Sequence, residues 1–446
     1  MVAFSVVTFT VVTNGSGASP TRETRPVSLL PPLTRERSAD SQNTKRVVVK
    51  FGGSSLANRE RIEHAARLVS SEIRKGTKIV VVVSAIGKMT DQLISLVNHS
   101  DKSDLDDVLA MGERTSIRIF ATALKGQGLE SRYFDPSDPD WPIITDDEFS
   151  DANPIVDLCL QRIREHVAPL LDHHIIPVIA GFVGRSRIGR VSTIGRGGSD
   201  TTAFVIARGI EADEVILVTD ADGILTADPK IISNARRIDK IDVRILVGLA
   251  DSGTKFIHRK ALRYKDTDIP VRVINQRNED LDAEGTIIAG SISDEVEVTL
   301  ALSTPAMSVT LVGHGISENP EIISEISQTV RRHSTLNGLS ADFDSVIFYV
   351  PQDSSDALLG EVHDMITKHG EAVAIAVQKN LAFLRIRGVG LEDTPGMIGR
   401  MSTLLKDNCI NIFGMLTLTS GILIFVSWEN KEQAMALLRK VVKESA

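Results

Sequence analysis

Short apolar runs alternate with helical patterns over the first two-thirds of the chain, from residue 46 to about 288. Four runs are rich in β-branched residues and uninterrupted, as expected of strands buried on both faces of a parallel sheet. They are Arg46–Phe51, Lys78–Ser84, Ile176–Ala180 and Glu214–Thr219. Apolar residues recur at helical spacing between them, for example over 105–125 and from near Asn58. This alternation predicts an α/β fold, an open and mainly parallel sheet with helices on both faces.

After about residue 294 the pattern changes to strand, helix, strand, strand, and it occurs twice, over Ser308–Val350 and Ala382–Trp428. The second copy predicts a helix over Met397–Asp407 and a strand near Met415. These are small α+β units, and the weak repeat predicts a duplicated ligand-sensing module. We expect an α/β domain over 46–290 and a tandem pair of such units over 294–446, the second centred on 382–446.

The first 45 residues differ in composition from the rest of the chain. Residues 1–12 are apolar, and 13–44 are rich in Ser, Thr, Pro, Arg and Asn. No Lys or Arg precedes the apolar stretch, which argues against a secretory signal. Arginines outnumber acidic residues, so an organellar transit peptide stays open as the alternative. The composition favours a disordered leader, or a start codon assigned too early.

Composition excludes several classes of protein. With 446 residues the chain is too long for one core. The net charge of −8, without a basic patch, argues against a nucleic-acid partner. No apolar run is long enough for a membrane span, so we expect no membrane partner. Cys159 and Cys409 lack metal-ligand spacing and the histidines form no H-E-x-x-H set, so no protein metal site is predicted and a reducing compartment is expected.

Two glycine-rich stretches carry the candidate chemistry. Lys50-Phe51-Gly52-Gly53-Ser54-Ser55 follows a strand and precedes a helix, and Gly195-Arg196-Gly197-Gly198-Ser199-Asp200 begins another helix. Glycines let backbone N–H groups converge at a helix N-terminus, which favours anions. Lys50 and Arg196 add positive charge. The chain contains neither a Walker A motif nor a G-x-G-x-x-G motif. We therefore expect both stretches in one crevice beyond the strand ends.

Taken in order, these motifs resemble those of the aspartate kinases, amino-acid kinases with C-terminal ACT domains. The resemblance covers residues 47–446. Besides the two glycine-rich stretches it rests on Val81-Val82-Val83-Ser84-Ala85, Gly112-Glu113, Thr219-Asp220, Asp228-Pro229 and Gly253-Thr254-Lys255-Phe256-Ile257-His258. It implies an enzyme that moves the γ-phosphoryl group of ATP, with Mg²⁺, to the β-carboxylate of L-aspartate. That reaction is the first step toward lysine, threonine and methionine.

The resemblance also assigns roles to single residues. Lys50 contacts the transferring phosphoryl group and Asp200 orients Lys50. Arg196 pairs with the α-carboxylate of the substrate and Glu113 with its α-ammonium group. The other implied substrate-binding residues are Ser54, Ser55, Ser84, Gly197, Gly198 and Ser199. The other implied nucleotide-binding residues are Gly52, Gly53, Thr219, Asp220, Asp228, Lys230 and Lys255. The implied regulatory positions are Asp393, Asn411 and Ile412.

The sequence alone leaves a purely structural role open for three of these residues. Asp200 is also a candidate N-cap, Glu113 a candidate for a solvated helix face, and Lys255 a candidate helix-start lysine. Departures from the family are few. Lys230 stands where an arginine is usual, and Glu318-Asn319-Pro320-Glu321 replaces the usual Asp-x-Pro-Gly of the first ACT unit. The second unit keeps Asp393-Thr394-Pro395-Gly396, so feedback by lysine or threonine is a hypothesis.

Two other functions compete with this interpretation. One is a sister kinase that acts on glutamate, acetylglutamate or a nucleoside monophosphate, and the other is a non-catalytic ACT sensor. ACT units usually pair edge to edge, which implies a homodimer or a dimer of dimers. Because the chain ends at Ala446, before the dehydrogenase domain of bifunctional relatives, we expect a monofunctional enzyme. The expected location is the cytoplasm, or the plastid if residues 1–45 are a transit peptide.

Overall fold

The computed structural model describes residues 44–97, 101–250, 257–292, 296–369, 373–388, 396–418 and 421–443. The chain divides between residues 293 and 294 into two compact units. We call their described parts the N-terminal unit (44–292) and the C-terminal unit (296–443). Among the described residues, no helix is both long enough and apolar enough to cross a membrane.

The N-terminal unit contains eleven strands and eight α-helices within its described residues. The strands are β1 (Arg46–Phe51), β2 (Lys78–Val83), β3 (Ser131–Phe134), β4 (Ile144–Thr145), β5 (Ile176–Ala180), β6 (Val183–Ser186), β7 (Val191–Thr193), β8 (Glu214–Thr219), β9 (Lys240–Asp242), β10 (Val271–Asn275) and β11 (Thr286–Ala289). The helices are α1 (Arg59–Arg74), α2 (Met89–Leu96), α3 (Lys102–Gly126), α4 (Val156–Arg162), α5 (Ala168–Asp172), α6 (Gly198–Gly209), α7 (Val243–Ala250) and α8 (Arg259–Leu262).

Eight strands form one sheet in the order β3-β5-β2-β1-β8-β10-β11-β9. All pairs are parallel except β10 with β11. Alternate residues of β1 point to opposite faces of the sheet. Phe51 meets Phe120 of α3 with ring centroids 5.4 Å apart, whereas Lys50 reaches Asp200 of α6. Helices therefore cover both faces, and the predicted fold class is confirmed.

The C-terminal unit is built on an antiparallel sheet. Its strands are β12 (Glu297–Leu300), β13 (Ala306–Val312), β14 (Gly338–Asp342), β15 (Ser345–Pro351), β16 (Ala374–Arg387), β17 (Gly414–Leu418) and β18 (Gly421–Ser427). Its helices are α9 (Pro320–His333), α10 (Ser355–His369), α11 (Met397–Asp407) and α12 (Lys431–Lys443). The order is β14-β15-β13-β16-β18-β17, and β12 also pairs with β16.

Strand β16 belongs to both α+β units. Its first half pairs with β13 of the first unit, and its second half pairs with β18 and β12. Between the halves, Asn380 has a φ of +59°. Tyr349 of β15 stacks on Phe425 of β18, with ring centroids 3.9 Å apart. Because neighbouring strands lie about 4.8 Å apart, rings three strand spacings away in a flat sheet do not touch. The sheet therefore folds over, and its two halves pack face to face.

Candidate active site

The candidate site lies at the carboxyl ends of four adjacent strands, β5, β2, β1 and β8, near the middle of the large sheet. Parallel strands bring their ends to the same edge. The segments that follow them carry Gly181, Ser84, Gly52 and Asp220, respectively. The structure thus brings both glycine-rich stretches and the 219–230 loop to one side of the sheet.

The first glycine turn packs tightly against its neighbours. The Gly52 N–H donates to the Val218 carbonyl at 3.3 Å, and the buried Ser55 hydroxyl donates to the same oxygen at 3.2 Å. A Cβ on Gly53 would lie only 2.8 Å from the Ala85 carbonyl oxygen. Gly53 is therefore required by close backbone approach. Ser54 is half-buried on the same turn.

The second glycine stretch turns sharply before α6. Gly195 and Gly197 have φ values of +79° and +76°, which favour glycine. A Cβ on Gly197 would lie 2.4 Å from the Cβ of His258, so only glycine fits beside that residue. Arg196 is exposed at the tip. No hydrogen bond or ion pair to its guanidinium occurs within the described part of the chain, which leaves it available to an anion.

Lys50 and Asp200 form an ion pair across the crevice. The Lys50 Nζ lies 2.7 Å from the Asp200 Oδ1, with side chains only 16% and 11% exposed. Asp200 is the third residue of α6, where a negative charge interacts favourably with the helix dipole. The N-cap of α6 is Gly197. The alternative reading of Asp200 as an N-cap is therefore wrong.

Two serines of the predicted set meet beside this pair. The Ser84 Oγ donates to the Ser199 Oγ at 2.9 Å, which joins the end of β2 to the start of α6. Gly181, after β5, is also required here, because a Cβ would lie 2.7 Å from Ser199. Gly181 was not predicted from the sequence, although a glycine directly after a buried strand is an available signal. Gly198, the first residue of α6, is buried against Phe182.

Glu113 is buried on α3 rather than on a solvated face, so that alternative is wrong. Glu113 is only 3% exposed, and its Oε1 accepts a hydrogen bond from the Ala85 N–H at 3.2 Å. Gly112 permits this approach, because a Cβ there would lie 2.9 Å from the Ala85 Cβ. Burial raises the pKa of Glu113 to about 7. Its Oε2 is buried without a hydrogen-bond partner among the described residues, which suits a cationic ligand.

The 219–230 loop follows β8 and carries half of the predicted nucleotide-binding residues. The Thr219 Oγ1 donates to the exposed Asp220 at 3.2 Å. The Asp228 Oδ1 accepts from the Lys230 N–H at 2.9 Å, so Asp228 stabilises a turn. Asn275 was not predicted from the sequence. Its Nδ2 donates to Asp222 at 2.6 Å and holds this loop to β10.

Four predicted positions remain, two outside the described residues and two in the C-terminal unit. Lys255 and Asp393 lie outside the described residues. Asn411 is exposed after α11, and the half-buried Ile412 packs on the core formed with β16, β18, α11 and α12. Asn411 and Ile412 are therefore neighbours in the C-terminal unit, whereas the crevice residues belong to the N-terminal unit.

Comparison with known proteins agrees with this architecture. Residues 45–275 match the amino acid kinase family, and residues 376–440 match the ACT domain. The fold is similar to the crystal structure of aspartate kinase from Synechocystis, with a TM-score of 0.74 and 24% identity over 89% of this chain and 69% of that one.

Curated relatives are similar over most of the chain. The aspartokinase of Geobacillus stearothermophilus is 31% identical over 381 residues, which are 82% of this chain and 89% of the relative. That of Corynebacterium glutamicum is 30% identical over 383 residues, covering 82% and 88%. That of Rickettsia prowazekii is 39% identical over 255 residues, 54% of each chain. The chain therefore belongs to the amino-acid kinase family and, within it, to the aspartokinases.

Proposed function

We propose that this protein transfers the γ-phosphoryl group of ATP to the β-carboxylate of L-aspartate, giving 4-phospho-L-aspartate and ADP. The observation that carries the proposal is the Lys50–Asp200 ion pair at the glycine-lined edge of the sheet, with the buried Glu113 of α3 hydrogen-bonded to Ala85, just after β2. Aspartokinase relatives, among them the one from Geobacillus stearothermophilus, support aspartate as the substrate.

The chemistry needs no general base. A carboxylate with a pKa of about 4 is ionised at neutral pH and is already a nucleophile. One of its oxygens forms a bond to the γ-phosphorus while the bond to the ADP oxygen breaks. Charge repulsion between the two anions opposes the approach. Lys50, held by Asp200, stabilises the transferring phosphoryl group, and the Gly53 N–H of the glycine turn binds a phosphate oxygen.

Substrate recognition follows from two charged residues of opposite sign. Arg196 offers a planar guanidinium that binds a carboxylate through two parallel hydrogen bonds. Glu113 offers a buried oxygen to which no described residue donates a hydrogen bond, and the α-ammonium group of an amino acid supplies both a hydrogen bond and a positive charge. Ser54, Ser55, Ser84 and Ser199 line the same crevice. An amino acid therefore fits better than a nucleoside monophosphate, which lacks the ammonium group.

The 219–230 loop and Lys255 serve the nucleotide in this proposal. Mg²⁺ prefers hard oxygen ligands, which the phosphate oxygens of ATP supply. When bound, Mg²⁺ neutralises phosphate charge. Lys50, Arg196 and Glu113 then act as above.

The test is an ATP-dependent hydroxamate assay that traps the acyl phosphate. L-Aspartate should give the hydroxamate and L-glutamate should not. Lys50→Ala should lower the rate by about a thousandfold, as expected when a cation at a transferring phosphoryl group is removed. Lys78→Ala is the matched control, because Lys78 begins the next strand and pairs with exposed Asp172.

The other functions predict different results in the same assay. Hydroxamate from glutamate alone would assign the protein to a sister kinase. ATP binding without product from either amino acid would favour the non-catalytic sensor. An unchanged rate in Lys50→Ala would contradict the role of the ion pair, whatever the substrate.

We also propose that lysine or threonine binds the second α+β unit near Asp393, Asn411 and Ile412, and that the protein is a homodimer or a dimer of dimers. Gly396, the N-cap of α11, has a φ of +80°, and no atom of the described residues lies within 4 Å of the position that a Cβ would take, so there is open space beside Gly396. The first half of β16 pairs with β13 on one edge, and no described strand pairs with its other edge. Unchanged kinetics across millimolar lysine, threonine and their mixture would contradict feedback. A monomer in light scattering would contradict the assembly.

A further inference from the structure

Asp106, on α3, is a buried carboxylate that the proposed reaction does not use. It is fully buried, and it accepts four hydrogen bonds from two residues far away in the chain. The Thr193 N–H and Oγ1 donate at 2.8 and 2.7 Å. The Ser150 N–H and Oγ donate at 2.8 and 3.1 Å. No lysine or arginine pairs with it in the part of the chain that the structure describes. Its charge is therefore satisfied by the two segments it joins.

Both segments lead directly to the second glycine stretch. Thr193 is the last residue of β7, three residues before Arg196. Ser150 is held with a φ of +70°, an uncommon conformation for serine. A Cβ on Gly195 would lie 3.2 Å from the Ser150 carbonyl and 2.5 Å from Asp151. The Asp106 carboxylate thus fixes the strand that enters the loop and the segment on which the loop rests.

Lys260 holds the same loop through its other backbone groups. Its Nζ donates to the Ile194 carbonyl at 2.8 Å, and to the carbonyl and Oδ1 of Asp151, both at 2.7 Å. The Lys260 side chain is only 11% exposed. The Asp106 carboxylate therefore accepts from the Thr193 N–H, and the Lys260 ammonium group donates to the carbonyl of the next residue, Ile194.

Helix α3 joins this arrangement to the other half of the substrate site. Asp106 and Glu113 are seven residues apart, which is about two turns and 10.5 Å of rise, on one face of the helix. Both are buried. A helix is rigid over two turns, so the position of Thr193 is tied to that of the Glu113 carboxylate.

We propose that Asp106 and Lys260 are positioning residues that set the distance between Arg196 and Glu113, and so match the site to the spacing of the α-carboxylate and α-ammonium groups of an amino acid. The proposal rests on the proposed function. It makes these residues act on amino-acid binding rather than on nucleotide binding. A role in stability alone would lower the melting temperature and leave both KM values unchanged.

The test is steady-state kinetics of Asp106→Asn in the full chain. Asparagine keeps the size but replaces one acceptor oxygen with a donor, so it cannot accept all four hydrogen bonds. The KM for aspartate should rise by about ten- to a hundredfold, the loss that follows a displacement of about 1 Å in a substrate-positioning group. The KM for ATP should stay within about twofold, as should every constant of Asp107→Asn, the exposed neighbour.

Milder variants keep the proposal testable if Asp106→Asn does not fold. Thr193→Val and Ser150→Ala each remove one hydroxyl donor and should raise the KM for aspartate in the same direction by less. Lys260→Met should do the same from the other side of the loop. Equal changes in both KM values, or a fall in melting temperature alone, would overturn the proposal. A wild-type chain inactive on aspartate would instead overturn the proposed function.

Discussion

The two units bury different kinds of side chain. Among the described residues, Thr329 is the only buried polar or charged side chain in the C-terminal unit, whereas the N-terminal unit buries many, including Asp106, Glu113 and Asp200. The C-terminal unit instead buries apolar residues on both faces of its folded sheet, with a stack of Tyr349 and Phe425 between the halves. Both units are of α and β type, and they use the sheet differently.

The difference reflects where the strands of each sheet end and where their connecting loops lie. A parallel sheet brings its carboxyl ends to one edge, where loops present polar groups to a ligand. Buried charges there must be paired or hydrogen-bonded. An antiparallel sheet spreads its turns over both edges, and here its faces are used for packing. Chemistry is therefore expected to depend on buried polar groups of the N-terminal unit, and stability of the C-terminal unit on its apolar cores.

The largest expected effect on stability is at the aromatic stack. Phe425 is fully buried and touches Tyr349 and Phe383, with centroids 3.9 and 4.6 Å apart. Phe425→Ala should lower the free energy of unfolding of the C-terminal unit by about 3–5 kcal/mol. Chemical denaturation followed by tryptophan fluorescence measures this. Trp428 reports the C-terminal unit in a Trp141→Phe background, and Trp141 reports the N-terminal unit in a Trp428→Phe background.

The control is Phe413→Ala, because Phe413 is 43% exposed. It should change stability by less than about 1 kcal/mol. Equal destabilisation reported by Trp141 and Trp428 after Phe425→Ala would contradict the independence of the two cores.

An effect of nearly the same size is expected at Glu113. Burial raises its pKa to about 7, so between the ordinary value and 7 the folded state binds a proton that the unfolded state has lost. The contribution of Glu113 to the free energy of unfolding therefore falls as the pH rises from the ordinary value to about 7, and it is least favourable above pH 7. Without substrate, Glu113→Gln should raise the free energy of unfolding by up to about 3 kcal/mol at pH 8 and by little at pH 4.

The ionisation of Glu113 should also affect activity. Only the ionised carboxylate attracts the α-ammonium group, so the KM for aspartate should rise as the pH falls below about 7. Glu113→Gln should bind aspartate weakly and lose this pH dependence. A wild-type KM for aspartate that does not change from pH 6 to 8 would contradict the assignment of Glu113 to the α-ammonium group.

A somewhat smaller effect on activity is expected from substitution of Gly197. Comparison with Gly189 shows whether the loss comes from a steric clash or from backbone strain. An alanine Cβ there would collide with His258 at 2.4 Å, so Gly197→Ala should lower kcat/KM for aspartate by about a hundredfold. Gly189 has a similar φ of +85° with nothing within 4 Å. Gly189→Ala should therefore cost about 1 kcal/mol of stability and leave kcat/KM unchanged. Similar activity losses in both variants would attribute the effect to strain.

The sequence predicted the elements of the fold closely where the signal is local. The strands Arg46–Phe51, Ile176–Ala180 and Glu214–Thr219 and the helix Met397–Asp407 have the predicted bounds. Continuous apolar runs mark strands buried on two faces. The sharing of β16 and its pairing with β12 carry no such signal, because pairing across some 80 residues depends on packing rather than on local sequence.

The candidate site divides in the same way. Glycine turns and the residues within them are local motifs, so Lys50, Arg196 and Asp200 could be found from the sequence. Asp106 could not, because its donors lie 44 and 87 residues away and a helix aspartate is usually exposed. The structure also excludes the alternative of Asp200 as an N-cap and pairs Asp200 with Lys50, a contact that depends on β1 and α6 meeting across the sheet.

Strand β16 makes the C-terminal unit indivisible. Any cut or insertion within Ala374–Arg387 interrupts two domains at once, because each relies on a different stretch of the same strand. A fragment that begins at residue 376, where the match to the ACT domain begins, would lack β12 and leave one edge of β16 bare. Fragments made by protein engineering or by limited proteolysis should therefore keep residues 296–443 together, although the sequence pattern there predicts two α+β units.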